Sequence, residues 1–440
     1  MNPTVVGGGL AGSEAAWALA ERGVRVTLRE MRPQVRTPAH QSDRLAEIVC
    51  SNSFKSTELT NAHGLLKAEL RALGSLLLEC ADLARVPAGA ALAVDRDRFS
   101  AEATRRLESH PNIRIVRDEA AEIPSPGVIA TGPLTSERLA AALAQRLGSG
   151  ALAFYDAIAP IVSADSLEAE RLYAMSRYGK GVGDDYLNAP LTRDAYEAFV
   201  DGLLAADQFT GHEFDEVPYF EGCLPIEEMA RRGRETLRFG PMKPVGLPDP
   251  RTGRDPYAVV QLRREDLAGQ MWNLVGFQTR LRIPEQKRVF SMIPGLGGAE
   301  FLRYGSIHRN SYINSPASLG PALTLQDDDR VFVAGQLTGV EGYTESLGTG
   351  LLAGINLARR ISGKAAVVPP PTTMLGGLYR YLREADPAHF QPMNANFGLL
   401  DPLDGGAAGG RTGRRMSKEQ KKALLVERAQ ADFRRWMEAL

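Results

Sequence analysis

The sequence predicts an α/β fold in which a Rossmann-like dinucleotide-binding domain is interrupted by an inserted mixed α/β domain. Three observations support this fold: a complete strand–loop–helix–strand unit in the first 30 residues, a second strand, glycine-rich loop and helix at 330–360, and a long mixed segment between them. At 440 residues the chain is long enough for two or three domains. The predicted segments are 1–159 and 321–440 for the nucleotide-binding domain, and 160–320 for the insertion.

The first unit carries a phosphate-binding glycine pattern. PTVV is a short strand, GGGLAG a turn, SEAAWALAERG a helix and VRVTLRE a second strand. Gly7, Gly9 and Gly12 occupy the G-x-G-x-x-G positions, which permit a tight turn, close approach to a pyrophosphate and close helix–strand packing. Glu30 ends the second strand, where a carboxylate can accept a hydrogen bond from a ribose hydroxyl. The remaining predicted cofactor contacts of this loop are Gly8, Leu10 and Ala11.

Two distant segments indicate that the dinucleotide is FAD. GVIATGPL at 127–134 is a strand followed by an A-T-G crossover typical of glutathione-reductase-type flavoproteins. The segment at 330–360 ends in a helix whose N-terminus could face the flavin pyrimidine. No second strand–GxGxxG–helix unit is present in the sequence, so NADH or NADPH is expected only as a transient reductant. The predicted cofactor contacts in these segments are Thr131, Gly132, Gly335, Glu345 and Ser346.

Composition argues against several classes of protein. The three cysteines form no CxxC pair and the six histidines no HExxH motif, which predicts a reducing, cytoplasmic location and neither a disulfide scaffold nor a metal site. No signal peptide or long apolar run is recognisable, so no membrane association is expected. No obligate protein partner is evident. The net charge is only −1, but basic residues cluster at 231–243, 280–288 and 411–422, which favours an anionic partner.

The cysteines fall in three different settings. Cys223 lies two residues before Pro225, in YFEGCLPIEEMARRGRE, where Pro225 and the acids after it are typical of a helix start. The positive field of a helix N-terminus can lower a thiol pKa from about 8.5 to about 3.5–7.5; the alternative is a buried, unreactive thiol. Cys50 lies in EIVCSNSFKS, an apolar strand-like run that breaks into a polar loop, and Cys80 lies in the apolar helical run LGSLLLECADL, where packing is expected.

Together these segments resemble one family, the folate- and flavin-dependent tRNA uracil-5 methyltransferases (TrmFO), which are related to larger flavoproteins that modify the wobble uridine. The matching motifs run in order along nearly the whole chain: VVGGGLAGSEAAWALAERGV, EMRP, IVCSNSFKS, GKGVGDDYLNAP, FEGCLPIEEMARRG, LRFGPMKPVGL, NLVGFQTRL, EQKRVFSMIPGL, RYGSIHRN, GYTES and FQPMNANFGLL. One departure is Ala189 in YLNAP, where many relatives have cysteine. The chemistry here therefore does not need a thiol at that position.

The resemblance implies methylation of carbon 5 of the T-loop uridine at tRNA position 54, with methylenetetrahydrofolate as carbon donor and reduced FAD as carrier. Carbon 5 of uracil becomes nucleophilic once a thiolate adds to carbon 6, and a base must later remove the carbon 5 proton. Cys50 and Cys223 are the predicted pair. The sequence leaves open which of them adds to the uracil, with a slight preference for Cys223.

The resemblance also implies a folate and a tRNA site. His308 in GSIHRN would face the pterin, with Arg282 nearby; the alternative for His308 is a hydrogen-bonded loop histidine. Tyr343 and Asn310 are further candidates. The predicted tRNA contacts are Arg231, Arg234 and Lys418.

Other functions stay open at this point: a related flavoprotein acting on another tRNA uridine, a small-molecule flavin oxidoreductase with redox-active thiols, or a flavin-bearing RNA-binding protein without turnover. The basic clusters favour an RNA partner, and the cysteine before the helix favours an enzyme.

Overall fold

The structure, a computed structural model, describes residues 2–37, 39–148, 151–180, 185–209, 224–266, 268–403 and 417–440, with backbone alone at 151–158, 306–311 and 418. Within these residues the strands are β1 (Thr4–Val6), β2 (Val26–Glu30), β3 (Ser53–Ser56), β4 (Arg85–Val86), β5 (Ala91–Val94), β6 (Ile113–Arg117), β7 (Gly127–Ile129), β8 (Ala151–Ile158), β9 (Ile161–Ser163), β10 (Tyr173–Ala174), β11 (Tyr186–Leu191), β12 (Ala258–Arg264), β13 (Met271–Leu274), β14 (Phe301–Arg303), β15 (Ser306–Ile313) and β16 (Val331–Val333).

The helices in the same residues are α1 (Leu10–Ala20), α2 (Ala62–Ala72), α3 (Leu76–Leu83), α4 (Arg96–Ser109), α5 (Glu137–Leu147), α6 (Arg193–Leu204), α7 (Ile226–Arg231), α8 (Thr236–Phe239), α9 (Ile283–Phe290), α10 (Ser315–Ser318), α11 (Tyr343–Ile361), α12 (Met374–Glu384) and α13 (Lys418–Glu438).

A parallel sheet of five strands, in the order β16-β7-β1-β2-β6, forms the nucleotide-binding body. Strands β16, β7 and β1 are short and mainly apolar, as expected where both faces of a parallel sheet are covered, whereas β2 and β6 also carry charged residues. Helices α1 and α11 pack against each other beside this sheet. The contact is close because α11 presents glycines: a Cβ on Gly350 would come within 2.1 Å of the Ala11 carbonyl oxygen. The Rossmann-like fold predicted from the sequence is therefore confirmed.

The inserted segment builds its own sheet of six strands, in the order β10-β11-β12-β13-β9-β14. A separate hydrophobic core underlies it, extending in sequence from Val162 to Ala299. Strands β8 and β15 pair antiparallel where the chain leaves and re-enters the first body. Beyond β14, Tyr312, Ile313 and Leu319 already pack in the core of the first body.

Two local expectations need correction. The first helix begins at Leu10, three residues before the predicted Ser13, because the residues of the glycine pattern themselves form its first turn after the Gly9 N-cap. The predicted strand-like run at 47–50 is not a strand, and β3 starts only at Ser53. The backbone there bonds to side chains of other segments instead of to a neighbouring strand.

Candidate active site

A cavity of about 330 Å³ lies along the carboxyl ends of the parallel strands, a volume within the usual range for ligand sites. Segments that follow all five strands contribute to its wall: 7 and 9–11, 30–32, 118–120, 130–134 and 335–336. Open α/β sheets bind their ligands at this edge, where the strand order changes direction. The sheet therefore places the predicted nucleotide loops around one cavity.

The glycine loop lies at the cavity and leads into the N-terminus of α1. Gly7 has a φ of +101°, and a Cβ there would come within 2.5 Å of the Ala130 carbonyl oxygen. Gly9 is the N-cap of α1 and offers no side chain to its first-turn amides, and a Cβ added to Gly9 would meet nothing within 4 Å. Gly9, Leu10 and Ala11 line the cavity. Free amides at a helix N-terminus beside open space suit a pyrophosphate.

Gly8 and Gly12 support this loop from behind rather than line the cavity. A Cβ on Gly12 would come within 1.8 Å of the Gly7 carbonyl oxygen, so only glycine allows this close helix–strand approach. The Gly8 amide donates to Oε2 of Glu30 at 2.9 Å.

Glu30 lies in the cavity wall as an ionised side chain. Burial acts to raise the pKa of this carboxyl, but the hydrogen bond and charge of Arg32 outweigh it and the net pKa is lowered. Arg32 donates through Nε to Oε1 of Glu30 at 2.9 Å and through Nη1 to Oε2 of Glu47 at 3.0 Å. Oε1 of Glu30 also accepts from the Arg32 amide at 3.0 Å, whereas among the described residues Oε2 accepts only from Gly8, so Oε2 retains acceptor capacity for a ribose hydroxyl.

The second nucleotide segment contributes another helix N-terminus. Gly342 is the N-cap of α11, again without a side-chain cap, and Gly342, Tyr343 and Ser346 line the cavity. Glu345 does not line it: its carboxylate accepts from the Ala395 amide at 2.8 Å and lies 3.1 Å from Nδ1 of His63. The other predicted contacts, Thr131, Gly132 and Gly335, line the cavity.

Cys50 is half-buried in the cavity wall and is held through its backbone. Its amide donates to the Tyr343 hydroxyl at 2.9 Å, and that hydroxyl donates to the Ser51 carbonyl at 2.9 Å. Arg96 donates to the carbonyls of Cys50 at 2.8 Å and Ile48 at 3.0 Å. The thiol is thus presented by a loop that is fixed on both sides.

The same loop touches the inserted domain. Arg96 also pairs with Glu265 at 2.6 Å, and the Glu265 side chain is 1% exposed. Asn52, fully buried, donates to the Arg264 carbonyl at 2.8 Å and accepts from Nε of Arg263 at 2.8 Å. The segment with Cys50 therefore lies at the junction of the two bodies.

Cys223 lies outside the described residues, but the segment after it bonds to a residue of the cavity wall. The Ile226 amide donates to the Gln278 carbonyl at 2.8 Å, and Gln278 lines the cavity. Helix α7 starts at Ile226. Pro225 is its N-cap and so lies one residue before the first helical position, which proline usually occupies. Glu227 and Glu228 fall in the first turn, as expected.

Cys80 is fully buried in α3, as predicted. Burial raises the pKa of its thiol to about 12. A thiol in this setting stays protonated and unreactive at neutral pH.

The predicted folate residues are dispersed. Tyr343 lines the cavity. His308 and Asn310 lie in β15, with His308 opposite Asp156 of β8, and only their backbone is described. Arg282 is exposed at the start of α9 and does not line the cavity.

The predicted tRNA residues Arg231 and Arg234 are exposed and already ion-paired. Arg231 contacts Glu228 at 2.5 Å, and Arg234 contacts Asp201 at 2.6 Å. Lys418 opens α13 and only its backbone is described, while 411–416 lie outside the described residues.

Several cavity residues were not singled out from the sequence: Lys55, Gln278, Gln336 and Asn394. Asn394 belongs to FQPMNANFGLL, and that unusual motif was the one signal that could have found it. Among the described residues, no group of three or more His, Cys, Asp or Glu side chains could hold a metal ion. Nor does any helix in the described part of the chain have the length and apolar character needed to cross a membrane.

The chain is similar to several known proteins, and these similarities agree with one another. The family profile described as glucose inhibited division protein A matches residues 2–365. The methylenetetrahydrofolate–tRNA-(uracil-5-)-methyltransferase TrmFO of Geobacter sulfurreducens is 57% identical over 99% of this chain and 98% of its own length. The TrmFO of Thermus thermophilus is 55% identical over 99% of this chain and 96% of its own length. Among solved structures, Aquifex aeolicus GidA (form II crystal) has a TM-score of 0.69 at 16% identity, covering 99% of this chain and 73% of that one, a likeness of fold.

Proposed function

The chain belongs to the TrmFO family of methylenetetrahydrofolate–tRNA-(uracil-5-)-methyltransferases, and on this premise we propose that it methylates carbon 5 of the uridine at tRNA position 54. The observation that carries the proposal is the position of Cys50, whose thiol-bearing loop lines the cavity around which the dinucleotide loops converge. A thiol in this position would also suit a small-molecule flavin oxidoreductase with redox-active thiols, and it is the likeness to TrmFO over nearly the whole chain that favours methylation.

The described residues fit FAD. The free amides at the start of α1 would bind its pyrophosphate, and Glu30 would accept from its ribose. The amides of Gly342 and Tyr343, at the positive end of α11, would stabilise negative charge on the flavin pyrimidine. When bound and reduced, FAD supplies the two electrons by which a methylene carbon becomes a methyl group. NADH or NADPH is the reductant in this proposal.

Each of the two thiols has its own task. One adds as a thiolate to carbon 6 of the uracil, which makes carbon 5 nucleophilic. After transfer the other, as a thiolate, removes the carbon 5 proton, and the first thiolate leaves carbon 6 as the C5–C6 double bond re-forms. The backbone hydrogen bonds of Cys50 to Tyr343 and Arg96, which hold its loop at the cavity, support the assignment of one task to Cys50. Cys223 is assigned the other because Ile226, three residues on, bonds to a residue of the cavity wall. Cys80 has no part in the reaction.

The remaining assignments rest on the family likeness. His308, Arg282 and Tyr343 would contact the folate, and Arg231, Arg234 and Lys418 the tRNA; a cytoplasmic location fits a tRNA substrate. Since Arg231 and Arg234 already pair with acids, they would have to exchange those partners for phosphates.

The test is a methylation assay with tRNA transcribed without modifications, followed by nucleoside analysis. Complete mixtures contain FAD, methylenetetrahydrofolate and NADH or NADPH, and each component is omitted in turn. We expect 5-methyluridine only in the complete mixture, and none when position 54 of the transcript is changed to cytidine. Consumption of nicotinamide without any 5-methyluridine would exclude the proposed function and favour a small-molecule oxidoreductase.

A further inference from the structure

The inserted domain exposes aromatic and apolar side chains in one small area. The side chains of Phe239, Tyr178 and Val245 are 80%, 62% and 47% exposed, respectively. Together with Lys243 we call them the aromatic rim. Exposed large apolar side chains in a cluster mark a surface that binds something.

Tyr178 is held in a fixed position although it is exposed. Its backbone has a φ of +59°, a conformation that side chains other than glycine seldom adopt. Its amide donates to the Gly246 carbonyl at 3.0 Å, and its ring lies so close to Gly246 that a Cβ there would come within 2.5 Å of Cε1. Residues that are held in such sparsely populated backbone conformations concentrate at functional sites.

The rest of the aromatic rim is tied to Tyr178. Arg177 donates to the Val245 carbonyl at 2.5 Å and to the Lys243 carbonyl at 2.9 Å. Phe239 ends α8 and is joined to Lys243 by a tight turn, in which the Lys243 amide donates to the Gly240 carbonyl at 3.3 Å. The four residues therefore lie on two segments that hydrogen bonds hold together.

Neighbouring residues connect this surface to the cavity wall on two sides. On one side a Cβ at Gly276 would come within 2.7 Å of Cβ of Pro241, and Gln278, two residues further, lines the cavity. On the other side Lys180, two residues after Tyr178, pairs with Glu58 at 2.6 Å, and Lys55 lines the cavity.

The chemistry of the aromatic rim suits a nucleic acid. The Lys243 ammonium has no hydrogen-bond or ion-pair partner in the part of the chain that the structure describes. The nearby acids Glu58 and Glu235 pair with Lys180 and Arg238, whereas Asp255 stays exposed. Aromatic rings beside a free cation are the usual surface for stacking bases and holding a phosphate.

We propose that Tyr178 and Phe239 stack on nucleotides of the tRNA beside the target uridine, with Lys243 next to a phosphate. This inference rests on the proposed function and adds to it the surface that receives the bases around the flipped uridine. An apolar protein partner would use the same side chains without needing aromatic rings.

The experiment measures the Kd of unmodified tRNA by filter binding for full-length protein carrying Tyr178→Ala or Phe239→Ala. Loss of one stacking contact should weaken binding roughly fivefold to hundredfold. Phe239→Trp should retain affinity, whereas Phe239→Leu, apolar but not aromatic, should lose it. Leu83→Ala is the matched control, since Leu83 is 58% exposed on the first body. Flavin absorbance and the melting temperature verify that each variant is folded.

The outcomes separate the two proposals. Wild-type methylation with unchanged Kd in both alanine variants, or equal Kd for Phe239→Leu and Phe239→Trp, would overturn the stacking surface and leave the proposed function standing. A wild type that neither binds nor methylates tRNA would remove the proposed function, and the stacking surface with it. Weakened binding confined to the non-aromatic variants, at unchanged flavin content, would support the inference.

Discussion

The backbone amide of Cys50 donates a hydrogen bond to the hydroxyl of Tyr343, 2.9 Å away. These residues are 293 positions apart in the chain, and Tyr343 opens the helix of the second nucleotide segment. The two ends of the nucleotide-binding body therefore meet at the thiol-bearing loop.

Tyr343→Phe removes two hydrogen bonds that hold this loop, to the Cys50 amide and the Ser51 carbonyl. At about 0.5–1.5 kcal/mol each, their loss should lower kcat roughly fivefold to hundredfold if the loop must be ordered in the transition state. FAD content should stay unchanged. Tyr196→Phe is the control, because Tyr196 donates to the Arg234 carbonyl in the inserted domain, at 2.6 Å. Equal kcat for Tyr343→Phe and wild type would show that this contact has no role in turnover.

Arg96→Met leaves the Glu265 carboxylate without its ionic partner and frees two carbonyls of the Cys50 loop. Breaking a buried ion pair in this way typically costs about 3–5 kcal/mol. Urea denaturation should show a loss of this size for Arg96→Met, with part of it recovered when Glu265→Gln is added. Strictly additive effects of the two changes would contradict the coupling.

Two of the three cysteines should be needed for methylation and the third should not. Cys50→Ala and Cys223→Ala are expected to lose methylation with FAD still bound, whereas Cys80→Ala keeps activity because its thiol is buried with a raised pKa of about 12. Activity measured with flavin absorbance checks all three. Normal turnover in both Cys50→Ala and Cys223→Ala would rule out the thiol mechanism.

Tyr343, Arg96 and Cys50 also show where prediction from sequence stops. The strand–loop–helix–strand order of the first unit and the position of Glu30 at the end of β2 were predicted correctly because their signals are local patterns of a few residues. The run at 47–50 was wrongly predicted as strand-like because its backbone partners, Tyr343 and Arg96, lie far away in sequence. No local periodicity encodes such contacts, and the same is true of Gln278 in the cavity wall.

Two glycine substitutions in the same loop should affect different properties, one the stability of the fold and the other the binding of FAD. Gly12→Ala forces a Cβ within 1.8 Å of the Gly7 carbonyl oxygen, so it should lower the free energy of unfolding by about 1–3 kcal/mol or more. Gly9→Ala meets no protein atom within 4 Å and should fold normally, but its methyl group enters the cavity and should weaken FAD binding. Melting temperature and flavin content distinguish the two. A fully yellow Gly9→Ala protein would place the pyrophosphate elsewhere.

Stability should depend on pH through two buried carboxyls. Burial raises the pKa of Glu69 to about 8 and that of Glu14 to about 7. In the unfolded chain both lose their protons near the ordinary value of 4.5, so only the folded state holds them above it. Their contribution to stability is therefore complete below pH 4.5 and is lost as the pH rises to about 8. Glu69→Gln should flatten this decline in urea denaturation, and a profile parallel to wild type would contradict the assignment.

The origin of the methyl carbon is the most direct test of the folate- and flavin-dependent mechanism. In the proposed function, the methyl carbon comes from a folate and the electrons come from a reduced flavin. Unmodified tRNA is incubated with the protein, FAD, NADPH and either carbon-13 methylenetetrahydrofolate or S-adenosylmethionine labelled in its methyl group, and the nucleosides are analysed by mass spectrometry. We expect label in 5-methyluridine from the folate and none from S-adenosylmethionine; transfer of label from S-adenosylmethionine would exclude the folate mechanism.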